Sequence, residues 1–416
     1  MAIDESDVPN EYTHLRVRIP GVSSSLLEQT PIIEFTMTES ILTPGLQTRA
    51  IVQDPIGGMP NIRNLDEYQG QPIIIELWRP GLEKMDGWYK GPSSIKTVQH
   101  IYRIGNRKST NRAIQTWNLE ICDKSLLLDA DRLCSKSWAK VNPSLVVSDV
   151  LRKCLDVDNM FIEQASPPRD YIAENIHPFQ VCNQQADVAL AGNDPSFLHF
   201  MTFDVGGGKH HFESFKTMAQ RSPVANRAFS YSEPENPYGR FVNPFNMISY
   251  EFPCDFDNLT DILNGVRLGG FSGRSIQTFN PANGVWSNFG DDGSVCGIGG
   301  ATALAYTTNS GTAAEQNSAD ISVEKYALLR QARMMLLEPD KVALRFTTSF
   351  NPSLKAGQTI DAMFFNRGDG TGTPTQKENY GSGKYLISSL SHIWKRDRYA
   401  ITQVDCVSNS VAQGKT

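Results

Sequence analysis

The chain has 416 residues, 40% of them hydrophobic and 20% charged, with a formal charge of −6. That length supports two to four domains with buried cores, and so mild a charge advertises neither nucleic acid nor a membrane surface as partner. The 32 glycines and 23 prolines favour a turn-rich, strand-rich architecture.

The acidic start, MAIDESDVPNEY, lacks an apolar segment, so no secretory signal is expected, and no run approaches the roughly eighteen apolar residues of a membrane span. Cysteines 122, 134, 154, 182, 254, 296 and 406 are scattered without a C-x-x-C pair. They argue against a disulfide framework or a zinc site and fit a reducing cytoplasm, with inert buried thiols as the expectation.

From the N-terminus to about residue 125, alternation marks an antiparallel β domain. Strands are predicted at Thr13–Ile19, Pro31–Met37, Thr48–Val52, Gln71–Trp78, Gly87–Tyr89, Ser94–Tyr102 and Ala113–Cys122. Pro44-Gly45, Pro55-Ile56-Gly57-Gly58 and Arg79-Pro80-Gly81 punctuate them. That spacing suggests a barrel or sandwich. A helix then begins at Asn142-Pro143-Ser144, with Val146, Val147, Val150, Leu151, Cys154 and Leu155 as its apolar stripe, and a second starts after Asn175-Ile176-His177-Pro178. Phe197–Asp204 and His210–Glu213 read as a hairpin about Gly206-Gly207-Gly208.

Strands return from Asn246, at Met247–Phe252, Lys341–Phe350 and Gln358–Phe365. Pro281–Ala319, poor in charge and rich in Gly, Ser, Asn, Thr and Ala, reads as a long surface excursion, and Ser322–Leu336 has helical spacing. The predicted fold class is α+β, mainly β: a first antiparallel β domain over 1–128, an α+β module over 129–243, and a second β domain over 244–416 with an insertion at about 281–338.

The last stretch, Gly381–Ser408, opens on Gly381-Ser382-Gly383-Lys384. A phosphate-binding loop needs G-x-x-x-x-G-K-[ST] opening a helix, whereas Glu378 and Tyr385 occupy the positions of its first Gly and its hydroxyl residue. The residues after Lys384 alternate with period two, so a β-hairpin is predicted, broken at Lys395-Arg396-Asp397.

Other chemistry is sparse. His210 and His211, adjacent in a strand, face opposite ways, so His199 joins only one of them and no metal site is expected. Asp291-Asp292-Gly293 and Gly368-Asp369-Gly370 lack the ligand pattern of a calcium hand. No nucleophile elbow is present around Ser272. No catalytic residue, cofactor or metal is therefore predicted. Trp394, Arg396 and Arg398 at the hairpin tip are the candidate partner-interface residues; solubilising charge, nucleic acid and protein docking are the three readings of such a tip.

Taken together, Phe35–Pro44, Ala50–Asp54, Asn175–Phe179, Pro195–Phe200, His211–Met218, Leu354–Ile360 and Ser382–Ile387 with His392 resemble the baseplate central hub proteins of contractile-tailed bacteriophages, a family related to the base of the type VI secretion spike. The resemblance spans nearly the whole chain; residues 281–319 have no counterpart in it. It implies two tail-tube-like barrels per chain, and a homotrimeric, non-enzymatic structural protein of the virion tail, assembled in the host cytoplasm. Three chains would offer six barrels to the tail tube above and a three-fold platform to the central spike below. Implied partners are the spike, a tail-tube or tube-initiator protein, and possible tape-measure and baseplate wedge contacts, without specific nucleic acid or membrane insertion. A membrane-piercing tip or cell-wall hydrolase would then be a separate chain. The competing readings are a tail-associated cell-wall hydrolase and a tube or tube-initiator subunit.

Overall fold

In the computed structural model the described residues are 13–18, 20, 32–55, 70–80, 82, 89, 91–111, 114–192, 194–204, 207–224, 227–231, 243–253, 275–280, 285–290, 302–306, 330, 334, 337, 342–365, 381–396 and 400–408. The first unit comprises β1 (His14–Arg18), β2 (Ile32–Ser40), β3 (Gln47–Pro55), β4 (Pro72–Trp78), β5 (Ser94–Asn111) and β6 (Ile114–Cys122). Their order is β1-β4-β5-β6-β3-β2, antiparallel throughout. Alternation creates the sheet's two faces: in β4, Ile73, Ile75 and Leu77 are buried while Ile74 and Glu76 between them are half-buried. Val17, Phe35, Ala50, Ile75, Ile101 and Leu119, one from each strand, share a single core, so the sheet curls around its apolar face.

The α+β module contains α1 (Lys124–Asp131), β7 (Cys134–Val141), α2 (Pro143–Leu155), β8 (Met160–Ile162), β9 (Arg169–Ile176), α3 (Pro178–Val188), β10 (Phe197–Asp204), β11 (Gly207–Ser214) and α4 (Phe215–Gln220). Both predicted helices start where expected, each with proline in its first turn. The α2 stripe Val146, Val147, Val150, Leu151 and Leu155 is buried, and α2 ends at Asp156 in the left-handed conformation (φ 54°). The β10–β11 hairpin pairs Phe197 with Ser214 through Asp204 with Gly207.

The second unit is built from β12 (Phe229–Tyr231), β13 (Asn246–Glu251), β17 (Leu344–Ser349), β18 (Thr359–Met363), β19 (Gly383–Lys395) and β20 (Ile401–Val407); between β13 and β17 lie β14 (Ser275–Asn280), β15 (Val285–Gly290) and β16 (Thr302–Tyr306), a separate three-stranded sheet. The six run β12-β18-β19-β20-β17-β13, and the β13–β12 ladder closes them into a barrel. Strand for strand this is the order of the first unit, so the chain carries one strand order twice, with the direction of its first strand reversed in the second unit. In the second barrel β12 runs parallel to both neighbours, β13 and β18, and the other ladders are antiparallel. Its first strand starts at Phe229. The helix expected over Ser322–Leu336, apart from the helical Arg330 and Met334, lies outside the described residues, as does most of the expected Gly87–Tyr89 strand. Residues 285–290 and 302–306 of the expected surface excursion form β15 and β16.

Candidate functional site at the junction of three modules

The two β units differ in how they close. The second closes on itself, while in the first the free edge of β2 pairs with β19, from Ser40 opposite Ser389 to Glu34 opposite Lys395. Strand β19 thus belongs to both: Thr359–Ala362 of β18 pair with its first residues, and β20 covers its other edge from Leu386 to Ile393. Its sequence shows apolar residues on both faces for this reason. A bulge at Ser388 shifts the register, so Tyr385, Ile387 and then Leu390 face the second barrel's core, while Trp394 reaches the core of the first.

At the Ser40 end of this seam sits Glu39, 1% exposed. It follows Phe35 and Met37 on the inward face of β2, where alternation demands an apolar residue. One carboxylate oxygen accepts the Phe203 N–H of β10 at 2.5 Å, and the other accepts the Ala356 N–H, just before β18, at 2.9 Å. A single side chain therefore ties the first unit, the module and the second unit. Burial raises its pKa from 4.5 to about 7, against the pull of those two N–H donors and of Lys355.

Next to Ala356, Gly357 has φ +79°, and its N–H donates to the Ile387 carbonyl at 3.0 Å. The Arg221 guanidinium donates to its carbonyl at 3.1 Å and also bonds the fully buried Glu213, whose other oxygen lies 3.2 Å from His211 Nδ1. Lys384 donates from Nζ to the carbonyls of Ala219 (2.8 Å) and Arg221 (2.5 Å) at the end of α4. Ser382 Oγ accepts the Phe364 N–H at 2.9 Å, and the Tyr385 hydroxyl donates to the Gly381 carbonyl at 2.6 Å. The Gly-Ser-Gly-Lys stretch is thus a strand entry and a helix-end clamp. A Cβ on Gly357 would stand 2.8 Å from Phe200 Cζ and 3.1 Å from Met218 Sδ, in a backbone region unfavourable to side chains. Gly357→Ala is expected to destabilise the protein by about 3 kcal/mol, read as a lower urea midpoint; an unchanged midpoint would mean the junction is loosely packed.

Histidines fill the module's side of the junction. Ser125 Oγ donates to Asp123 Oδ2 at 2.6 Å, which leaves His210 Nε2, 3.1 Å away, as the donor to Ser125. His210 Nδ1 must then accept from His199 Nε2 at 3.1 Å, so the hydroxyl fixes both tautomers. Burial depresses His199 to about 3 and His210 well below its ordinary value, so both rings are neutral. As the sequence implied, His211 faces the other way, 3.0 Å from Thr202 Oγ1 and stacked on Phe200. His392, fully buried against Thr402 Oγ1 (2.9 Å), is depressed to about 3 by burial alone.

Of the three tip residues, Trp394 is half-buried, packs on the first unit's core and donates its indole N–H to the Thr13 carbonyl at 2.8 Å. Arg396 has an exposed side chain and donates its backbone N–H to Ile33 at 2.9 Å. Arg398 lies outside the described residues. Sequence reasoning missed Glu39 as a junction residue, although a carboxylate at the inward position of an alternating strand was a readable signal. Among the described residues no three His, Cys, Asp or Glu side chains converge as metal ligands, and no helix is long and apolar enough to cross a membrane.

This double-barrel architecture occurs in solved structures. The tail protein from Neisseria meningitidis MC58 aligns with TM-score 0.55 over 96% of this chain and 98% of that chain, at 10% identity. The 43 kDa tail protein of prophage MuSo2 from Shewanella oneidensis aligns with TM-score 0.51 over 92% and 95%, also at 10% identity. The chain shares its fold with these two tail proteins. Its mainly β, double-barrel form is the one the resemblance implied. The E. coli c3393 protein, a type VI secretion component with structural similarity to T4 bacteriophage tail proteins gp27 and gp5, aligns over 95% of this chain and 77% of that chain at 11% identity with TM-score 0.47. No family model matches the sequence, and no curated protein matches it. Within the tail-protein fold, the junction around Glu39 and β19 holds the two barrels at one relative orientation.

Proposed function

We propose that the chain is a structural protein of a phage-type tail, a baseplate hub whose homotrimer adapts a six-fold tail tube to a three-fold central spike. The observation that carries this reading is the duplicated strand order: one chain holds two six-stranded units seamed by a shared strand. Three chains then supply six similar units with three-fold symmetry, which fits a closed ring whose subunits cover one another's sheet edges. On this reading the partners are the spike and a tube or tube-initiator protein, with tape-measure and wedge proteins as further contacts. Assembly takes place in the host cytoplasm and the product resides in the virion tail. The role is geometric and mechanical, without a catalytic step. Support comes from the shared fold and from a junction built of buried backbone-directed hydrogen bonds.

The test is solution mass by sedimentation at several concentrations, with and without a co-expressed spike candidate. A species of about 139 kDa, three times 46.2 kDa, is expected. A six-fold ring would move the chain to the tube class. A monomer that persists with the spike present would overturn the hub reading and call for a cell-wall dye-release assay.

A further inference from the structure

The two β units agree residue by residue, beyond their strand order. Thr36, Arg49, Glu120 and Arg103 lie side by side across β2, β3, β6 and β5, and Glu251, Arg345, Asp405 and Ser389 lie side by side in the same way across β13, β17, β20 and β19. The irregularities repeat as well. The β2–β3 ladder shifts register between Ile32 and Glu34, and the β13–β17 ladder does so at the equivalent place, between Met247 and Ser249. The β5–β6 ladder shifts between Ile101 and Arg103, as the β19–β20 ladder does between Ile387 and Ser389. Sheets that match down to their bulges also match in the edges they present.

One such pair of edges meets inside the chain, where β19 beyond Ile387 pairs with β2. The equivalent edges, of β5 beyond Ile101 and of β13 from Ser249, have no strand on that side among the described residues. The exposures show the missing cover. Ile393 and Thr36 face each other half-buried in the filled seam, whereas Lys108 and Glu251 at the equivalent positions are exposed. Lys108 is placed by counting through β6, because β5 carries an extra residue between Gly105 and Lys108: Lys108 stands opposite Thr116 as Ile393 stands opposite Ile401.

We propose that β5 of one copy pairs antiparallel with β13 of a second copy, Lys108 opposite Glu251 and Ser109 opposite Tyr250, so that the seam within the chain is repeated between chains. The facing charges suit that register, as Lys395 and Glu34, 3.3 Å apart, suit the seam within the chain. Each copy offers one edge of each kind, so the contact runs head to tail and is satisfied throughout only in a closed ring. That the ring holds three chains rests on the hub reading; the pairing and its register rest on the duplication.

The full chain carrying Lys108→Cys and Glu251→Cys together would be treated with a short bismaleimide, separated under denaturing conditions and mapped by peptide mass. Wild type and each single variant serve as controls for the native cysteines. Sedimentation of the untreated double variant gives its assembly state independently. The expected result is a ladder of two and three linked chains, seen only in the double variant and joined through the peptides that carry positions 108 and 251. Lys108→Glu, which sets two carboxylates against each other, is expected to raise the concentration needed for assembly by about tenfold. A trimer without that link would overturn the pairing and leave the hub reading standing. A linked ladder that runs on to six chains would uphold the pairing and overturn the hub reading. A monomer would overturn both.

Discussion

Glu39→Ala is expected to lower the unfolding free energy by about 4 kcal/mol at pH 5.5, measured by urea denaturation. The loss combines two buried N–H groups, of Phe203 and Ala356, left without acceptors with the cavity left by the side chain. Glu39→Gln keeps one amide oxygen for one donor but turns an NH2 toward the other, so a smaller loss of about 2 kcal/mol is expected. The carboxyl also leaves a pH signature. Its pKa is 4.5 when unfolded and about 7 when folded, so the folded state holds the extra proton between those values. Its contribution is full below pH 4.5 and declines as pH rises to 7, by about 3 kcal/mol in all. In Glu39→Gln that contribution should vanish. Equal midpoints for wild type and Ala would show that the three modules are held by other contacts.

Acid should have the opposite and larger effect. His199 and His392, both near 3, and His210, also far below 6.5, are neutral in the fold and take up protons once unfolded. Below pH 6.5 each costs about 1.4 kcal/mol per pH unit, and Glu39 returns about the same amount once, so these four groups together cost about 3 kcal/mol per unit between pH 6 and 5, to which His100 and His211, lowered by burial in the same direction, add. Denaturant midpoints across that range test it. His392→Asn, whose amide takes the place of Nδ1 beside Thr402, should cut the slope by about 1.4 kcal/mol per pH unit whatever its effect on absolute stability. An unchanged slope would show that His392 is protonated in the fold.

Much of the β framework was legible because it obeys period two: β2, β4 and β6 fall where the alternation of Phe35 and Met37, Ile73 and Ile75, and Leu119 and Ile121 places them. What was missed has physical causes. β12 has three residues and pairs in parallel with both neighbours, so nothing local marks it. β7 reads CSKSWAKV, mostly polar, because it pairs only with β9 and leaves five of its eight side chains exposed. Glu39 was legible as an exception within a pattern, but its partners, residues 203 and 356, are far away in sequence. The Ser388 bulge is invisible too, since it exchanges the faces of a strand that is apolar on both sides.

The seam between β2 and β19 also sets a schedule for the ribosome. Thr38 Oγ1 lies 3.1 Å from Ser391 Oγ, across 353 residues of chain. At about 5–20 residues per second, the edge of β2 waits on the order of 20 to 70 s before its cover strand emerges. An early stop that removes β19 would therefore strand an otherwise complete N-terminal unit with a bare sheet edge, the form of the chain most prone to aggregate.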